Sequence, residues 1–531
     1  MPIHSISYHK TGYFSKLICD YLSEDKNLKP FYNRFPKLEN FEKQIQEKQN
    51  SFSVAQRKIL VEQLLFKYKG IEMSEATIRN IELLRENNTF TVTTGHQLNL
   101  FTGPLYFLYK IFSAINLAEQ LKIKYPQNNF VPIYWMATED HDFEEINYFN
   151  LFGKKIQWQR DASGAVGELP TDGLEEVVEK LATALGESDN AKTLLSLFKD
   201  AYLKHDNLAD ATRYLGNQLF AEYGLVIVDG NDAELKKAFI PYAEKELTEN
   251  LSYKKVTETT GKLTDLGFPE QVYPREINLF YLREGLRERI IEQDGKFFIN
   301  DSTLSFSEEE ILKELQEHPE RFSPNALLRP LYEEVILPNL CYIGGGGELA
   351  YWFQLKDYFK AVEVPFPILL LRNSILLVPE NSSRKLEKLE VTIDELFKPQ
   401  QELITAHTRK ISEIEIDFSS QKELLQKQFK DLYSLAEKTD ASFLGAVRAQ
   451  EKKQLNGLIN LEKRLLKAQK RKLVDELGRL KTLQDQLFPK QSLQERQLNF
   501  SEFYLENGEG LLNTLKKNLD PLDANFTVIK L

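Results

Sequence analysis

Three carboxylates surround one imidazole in the run Thr138-Glu139-Asp140-His141-Asp142, and Glu144 and Glu145 follow closely. Carboxylates at this density repel one another unless a cation, a metal or an amine compensates them. Asp140, His141 and Asp142 are therefore the candidate catalytic residues. In one reading the imidazole moves a proton and a carboxylate orients it. In another the carboxylates seat a substrate ammonium, with Glu139 as a further binding group. The plainer alternative is an acidic helix N-terminus, which the macrodipole favours. No metal site is expected: no second His or Cys stands nearby, and Cys19 and Cys341 are too few thiolates to hold zinc.

Two glycine-containing runs add candidate binding residues. In Thr93-Thr94-Gly95-His96-Gln97 and the following 98–106, a strand opening through Gly95 and Gly103 into a helix can turn backbone N–H groups toward an anion. Gln97, Asn99 and Thr102 supply uncharged polar side chains there. A tight strand-to-helix turn with no ligand fits the same residues. Later, Cys341-Tyr342-Ile343-Gly344 leads into Gly345, Gly346, Gly347 and Glu348. Such glycines let the backbone approach a ligand and line up as an anion nest, or act as a hinge. No Lys-Ser or Lys-Thr follows, so this is not a Walker loop. Arg329 and Arg372 are candidate anion clamps, Arg372 with Asn373 interrupting an apolar stretch.

The elements around these residues alternate. Strands are predicted at 90–94, 130–137, 224–228 and 367–371, and an apolar helix at 105–122. Strand, loop and helix in this order read as an α/β fold with a parallel sheet, whose ligands sit beyond the carboxyl ends of the strands. Residues 1–87 read as helices and loops, 88–379 as the core, with a helical insertion near 172–222 and a further one within 250–325. In the latter, 277–283 and 289–299 flank turn residues as a hairpin does. Across 380–490 the pattern becomes helical and charged. Ser420 with Glu423 reads as a capping box, and Asp440 with Ser442 as a second helix start. A helix of some 45 residues would then run to about residue 488 and span about 68 Å, longer than one domain can cover. Its leucines, among them Leu458 and Leu465, predict a coiled-coil hairpin that joins two chains. Residues 491–531 read as a segment returning to the core, ending in a strand-like tail.

At 531 residues, 42% of them hydrophobic, the chain has room for several buried cores. A net charge of -11 argues against a nucleic-acid coat. Two cysteines exclude a disulfide framework, and residues 1–10 lack the apolar core of a signal peptide. No stretch reaches the length of a membrane span. A soluble, cytoplasmic protein is expected, with no nucleic-acid or membrane partner.

The three clusters, in this order and with a coiled-coil region behind them, resemble the bacillithiol biosynthesis cysteine-adding family of ligases over the full chain. Thr102-Gly103-Pro104-Leu105-Tyr106, Glu139-Asp140-His141-Asp142-Phe143, and Gly347-Glu348 with Tyr351-Trp352 carry the resemblance. It implies a Rossmann-like core similar to class I aminoacyl-tRNA synthetases with inserted connecting segments, a coiled coil joining a homodimer, and L-cysteine and glucosaminyl malate as substrates. ATP or another adenine nucleotide is implied by that analogy, cysteine being activated as an acyl-adenylate before the sugar amine attacks. The synthetase signatures His-x-Gly-His and Lys-Met-Ser-Lys-Ser are absent. The alternatives are another nucleotidyl transferase or amide ligase of the same class, and a non-enzymatic coiled-coil scaffold.

Overall fold

The computed structural model describes residues 3–531. The first two residues of the N-terminal segment lie outside it. Five strands form the central sheet in the order Ile368–Leu371, Asn339–Gly344, Thr89–His96, Asn129–Met136, Val226–Asp229, and every neighbouring pair is parallel. Thr89–His96 is buried along its whole length and Asn129–Met136 along all but its first residue. Strands covered on both faces read as apolar, β-branched runs, as these do. The helix Tyr106–Lys124 packs across both central strands. Chain order reverses between Thr89–His96 and Asn339–Gly344, and the crevice at such a switch point is where doubly wound sheets bind ligands.

Four of the five strands match the sequence reading. The fifth, Asn339–Gly344, was hidden because the sequence there reads as a glycine cluster. Only Gly344 of that run belongs to the strand. Gly345 is extended (φ −73°, ψ 168°), and Gly346 begins the helix Gly346–Trp352, so the run is a strand-to-helix turn and not a hinge. Gly344 is needed for room: a Cβ there would lie 3.0 Å from the Tyr342 ring.

The insertion near 172–222 holds Glu175–Leu185, Asp189–Tyr202 and Leu208–Phe220. The expected hairpin is a longer meander, because the second run folds back on itself at Asp294 and Gly295: Leu279–Arg283, Leu286–Gln293 and Lys296–Ile299 are antiparallel neighbours. A three-stranded sheet joins distant parts of the chain. Asn525–Lys530 lies between Ile3–Ser7, antiparallel, and Ile375–Val378, parallel. The N-terminal segment thus opens with a strand before its helices.

The hairpin departs from expectation in two places. The helix Ser419–Ala436 has no side-chain cap from Ser420; Asp417 instead accepts from the Ser419 N–H and hydroxyl. The long helix is two, Ala441–Lys472 and Val474–Leu487, broken at Leu473 (φ −100°, ψ 18°). Asp440 caps the first of them as read from the sequence. Ser419–Ala436 packs along Ala441–Lys472, and Gln400–Ile411 packs on that helix and on Val474–Leu487. No helix among the described residues is long and apolar enough to cross a membrane.

Candidate active site

A cavity of about 800 Å³ opens at the carboxyl ends of the central strands. Gly95, Gln97, Glu139, Asp140, His141, Arg329, Gly345, Gly347, Glu348 and Arg372 all line it. Three sequence clusters thus converge, because strands Thr89–His96, Asn129–Met136 and Asn339–Gly344 are neighbours in register.

Asn99, Thr102, Gly103, Gly346 and Asp142 are not part of the lining. The turn holding the first three is packed into the body. Phe101, Thr102 and Gly103 have positive φ (48°, 66° and 63°), an unfavourable run for the two non-glycine residues. Outside contacts hold it: Asn499 Nδ2 donates to the Phe101 and Gly103 carbonyls, and the Phe101 N–H donates to the Tyr202 hydroxyl at 2.8 Å. A Cβ on Gly103 would lie 2.6 Å from that of Asn99, so glycine is required. Asp142 is exposed.

At the glycine end the central group is Lys110, which sequence reasoning passed over. It is a single Lys in the apolar run Tyr106-Phe107-Leu108-Tyr109-Lys110-Ile111-Phe112, and that solitary charge was the available signal. Lys110 Nζ donates to the Gly95 carbonyl at 2.6 Å and pairs with Glu348 Oε2 at 2.6 Å. Glu348 also accepts from the Gly345 N–H (2.7 Å) and the Tyr342 hydroxyl (2.9 Å). Burial raises the Glu348 carboxyl, but Lys110 and these donors outweigh it and hold it below the ordinary range. Burial also pulls Lys110 down, against the opposing effect of Glu348. At 2.6 Å with every Glu348 donor in place, the pair is charged. Glu348 therefore fixes the turn by tying strand, helix and glycine run together.

Both arginines face the cavity with an acid already behind them. Arg329 donates to buried Glu333 at 2.6 Å and to the Tyr351 hydroxyl at 3.1 Å. Burial raises Glu333 to about 8, and Arg329 only partly opposes this. Arg372 donates to buried Glu495 at 2.7 Å and lies 4.8 Å over the Tyr106 ring. Arg372 Nε is buried without a partner among the described residues, 3.7 Å from where a Gly345 Cβ would stand. His96 is buried against Tyr106 and Phe107; burial, then Lys110, depress its pKa to about 3, so it is neutral.

At the acidic end the compensating cations come from other parts of the chain. Glu139 is mostly buried and paired with Lys236, which also donates to the Glu320 carbonyl at 2.9 Å. Burial raises the Glu139 carboxyl against that pairing. Asp140 Oδ1 accepts from the His141 N–H at 2.7 Å and Oδ2 from Gln97 Nε2 at 2.9 Å, and Gln97 also donates to Glu145. Arg287 Nη1 lies 2.6 Å from His141 Nδ1. Lys236 and Arg287 could not be assigned from sequence, since nothing local links them to the cluster. Among the described residues no three His, Cys, Asp or Glu side chains converge as metal ligands would.

Residues 1–373 match the family described as "Bacillithiol biosynthesis BshC, N-terminal Rossmann-like domain", and 375–531 match "Bacillithiol biosynthesis BshC, C-terminal coiled-coil domain". Relatives named "Putative cysteine ligase BshC" include one from Flavobacterium johnsoniae, 59% identical over 529 residues with both chains fully covered. Another, from Cytophaga hutchinsonii, is 40% identical over 99% of this chain and 98% of its own. One from Bacillus cereus (strain B4264) is 28% identical over the whole of both chains.

Proposed function

The chain belongs to the bacillithiol biosynthesis BshC family, and on that footing we propose that it is a cysteine ligase, joining the carboxyl of L-cysteine to the amine of glucosaminyl malate. The observation that carries this reading is the convergence of the clusters on one cavity at the switch point. An amide forms when the amine adds to an activated carboxyl carbon, the leaving group departs and the amine gives up a proton. Such a site needs an anion-holding end and a polar end that receives an amine. The cavity's basic residues at the glycine end and its carboxylates at the other support that division.

Phosphate binding at the glycine end is supported by Arg372 Nε, which lacks a partner among the described residues, and by the open space at Gly347, where a Cβ would meet nothing within 4 Å. Lys110, Arg372 and the backbone at Gly347 would hold the phosphates of ATP, whose chemical contribution is activation of the cysteine carboxyl. Asp140, which lines the cavity, would attract the amine and take its proton, with His141 acting beside it. Cysteine would be recognised without zinc. Arg329 and the charged rim from the meander would face the malate carboxylates.

We also propose a cytoplasmic homodimer joined through the hairpin. Leu424 (63% exposed), Leu461 (52%) and Ile459 (38%) carry apolar surface outward on the two packed helices. Changing Leu424 and Leu461 to Lys should give monomers by light scattering with little change in unfolding; a persisting dimer would place the contact elsewhere. The activity test mixes pure protein with cysteine, glucosaminyl malate and ATP, with the thiol product read by mass spectrometry and nucleotide consumption measured in parallel. Product with another amino acid would favour a different amide ligase, and no product with any would favour a scaffold.

A further inference from the structure

We propose that Arg287 is a positioning residue that locks His141 as the neutral imidazole protonated on Nε2, so that His141 offers the cavity a hydrogen-bond donor and not a base. The argument begins with the 2.6 Å approach of Arg287 Nη1 to His141 Nδ1. A guanidinium has five N–H donors and no acceptor. The bond exists only if Nδ1 presents its lone pair, and the single proton of a neutral ring then sits on Nε2. A nitrogen that already carries a proton cannot accept one.

The surroundings hold this arrangement. Arg287 is 9% exposed, its Nε donates to Ser323 Oγ at 3.3 Å, and its Cζ lies 4.0 Å over the Phe280 ring. The His141 ring packs against the same phenyl at 5.6 Å, so one aromatic side chain fixes both partners. The charged groups around the imidazole are Asp140 beside it in sequence, and Arg287, Glu288 and Arg289 from the facing strand. Asp140 Oδ1 stands 3.7 Å from Nδ1, too far for a hydrogen bond, and it already accepts the His141 backbone N–H. Glu139 balances the charge of Arg287 from a distance and is itself paired with Lys236. Protonating Nδ1 would set N–H against N–H and bring a second cation against Arg287 with no new acceptor.

The chemical consequence rests on the ligase reading. A neutral Nε2–H suits an oxygen that gains negative charge as the amine adds to the cysteine carbonyl carbon. The proton leaving the amine then passes to a carboxylate of the same cluster.

The test uses the full chain grown with ring-15N histidine, the His141 signals among the seven histidines being assigned with His141→Gln. Between about pH 5.5 and 8, where an ordinary histidine changes charge, Nδ1 of the wild type should stay unprotonated and Nε2 protonated. A proton on Nδ1, or a titration midpoint at the free-imidazole value of about 6.5, would overturn the proposal. Arg287→Met should bring back both tautomers and that titration; should it not fold, the wild-type spectrum still decides. In activity, His141→Gln keeps an N–H donor and should lose about tenfold less thiol formation than His141→Ala, out of the 10²–10³ of a lost oxyanion donor. The Arg287→Met rate relative to wild type should fall as pH rises past about 6.5, because only the doubly protonated ring then guarantees Nε2–H. Equal losses in the Gln and Ala variants would remove the donor role. Wild-type protein that makes no thiol product would sink the ligase reading, while the spectrum would still decide the tautomer.

Discussion

The cavity and the hairpin are both rich in charge, yet they use it in opposite ways. Around the cavity the ions are buried and, Arg329 with its near neighbour Glu333 apart, their partners are remote in sequence: Lys236 meets Glu139 across 97 positions, Arg372 meets Glu495 across 123. In the hairpin and the helices at its base the pairs are wetter, as with Lys472 and Glu413, whose side chains are 62% and 82% exposed. Removing one member of a buried pair strands the other in a medium that cannot solvate it, whereas water replaces a lost surface partner. The cavity's charges therefore hold the core together, and the hairpin's keep a partly apolar surface in solution.

The sharpest way to break this comparison is Glu495→Ala. It removes the carboxylate that accepts from Arg372, the Ser374 hydroxyl and the Ile375 N–H. Denaturant unfolding should show a loss of about 3–5 kcal/mol; a loss no larger than that of a surface variant would erase the distinction. Next comes Asp140→Asn, which keeps shape and removes charge at the acidic end. Thiol formation should fall by about 10²-fold, the scale of lost general acid–base catalysis, with the melting temperature nearly unchanged. A large fall in melting temperature would instead make Asp140 part of the scaffold.

A third measurement concerns pH. His96 is held neutral down to about 3, whereas the unfolded chain takes up a proton near the ordinary value of about 6.5. A depressed folded pKa stabilises above the unfolded value and loses that contribution as pH falls toward the folded one. The slope from this one group is about 1.4 kcal/mol per pH unit below about 6.5, and His96→Gln should remove it from a series of unfolding curves. An unchanged slope would mean that His96 is hydrated in solution. The smallest effect is expected for Lys472→Gln at the base of the hairpin, whose unfolding midpoint should match the wild type. A clear shift would show that the hairpin too depends on its ion pairs.

Much of this arrangement is written locally. The burial of Thr89–His96 and Asn129–Met136, the polar endings of those strands, and the cap at Asp440 follow from residues within one turn or strand of each other. Asp140, His141 and Gly345 could be picked out because a clustered charge or a glycine run is visible without a fold. Ser420 misled because a capping box is a local motif that the preceding backbone did not adopt, and Asp417 stood where it could serve instead. Lys110 left only the faint trace of one charge in an apolar helix.

By itself, then, the chain's order of apolar and polar residues determined the parallel sheet, the carboxyl-end location of the site and the helical hairpin, since periodicity and turn chemistry act over a few residues. Tertiary structure decided which of these charges face the cavity and, for all but Arg329 with its near neighbour Glu333, what compensates them. Arg287 reaches His141 across 146 positions, and Glu495 comes from beyond the hairpin to neutralise Arg372. The reason is physical: the cost of burying a charge depends on what lies within a few ångströms of it, and that neighbourhood exists only after the chain has folded.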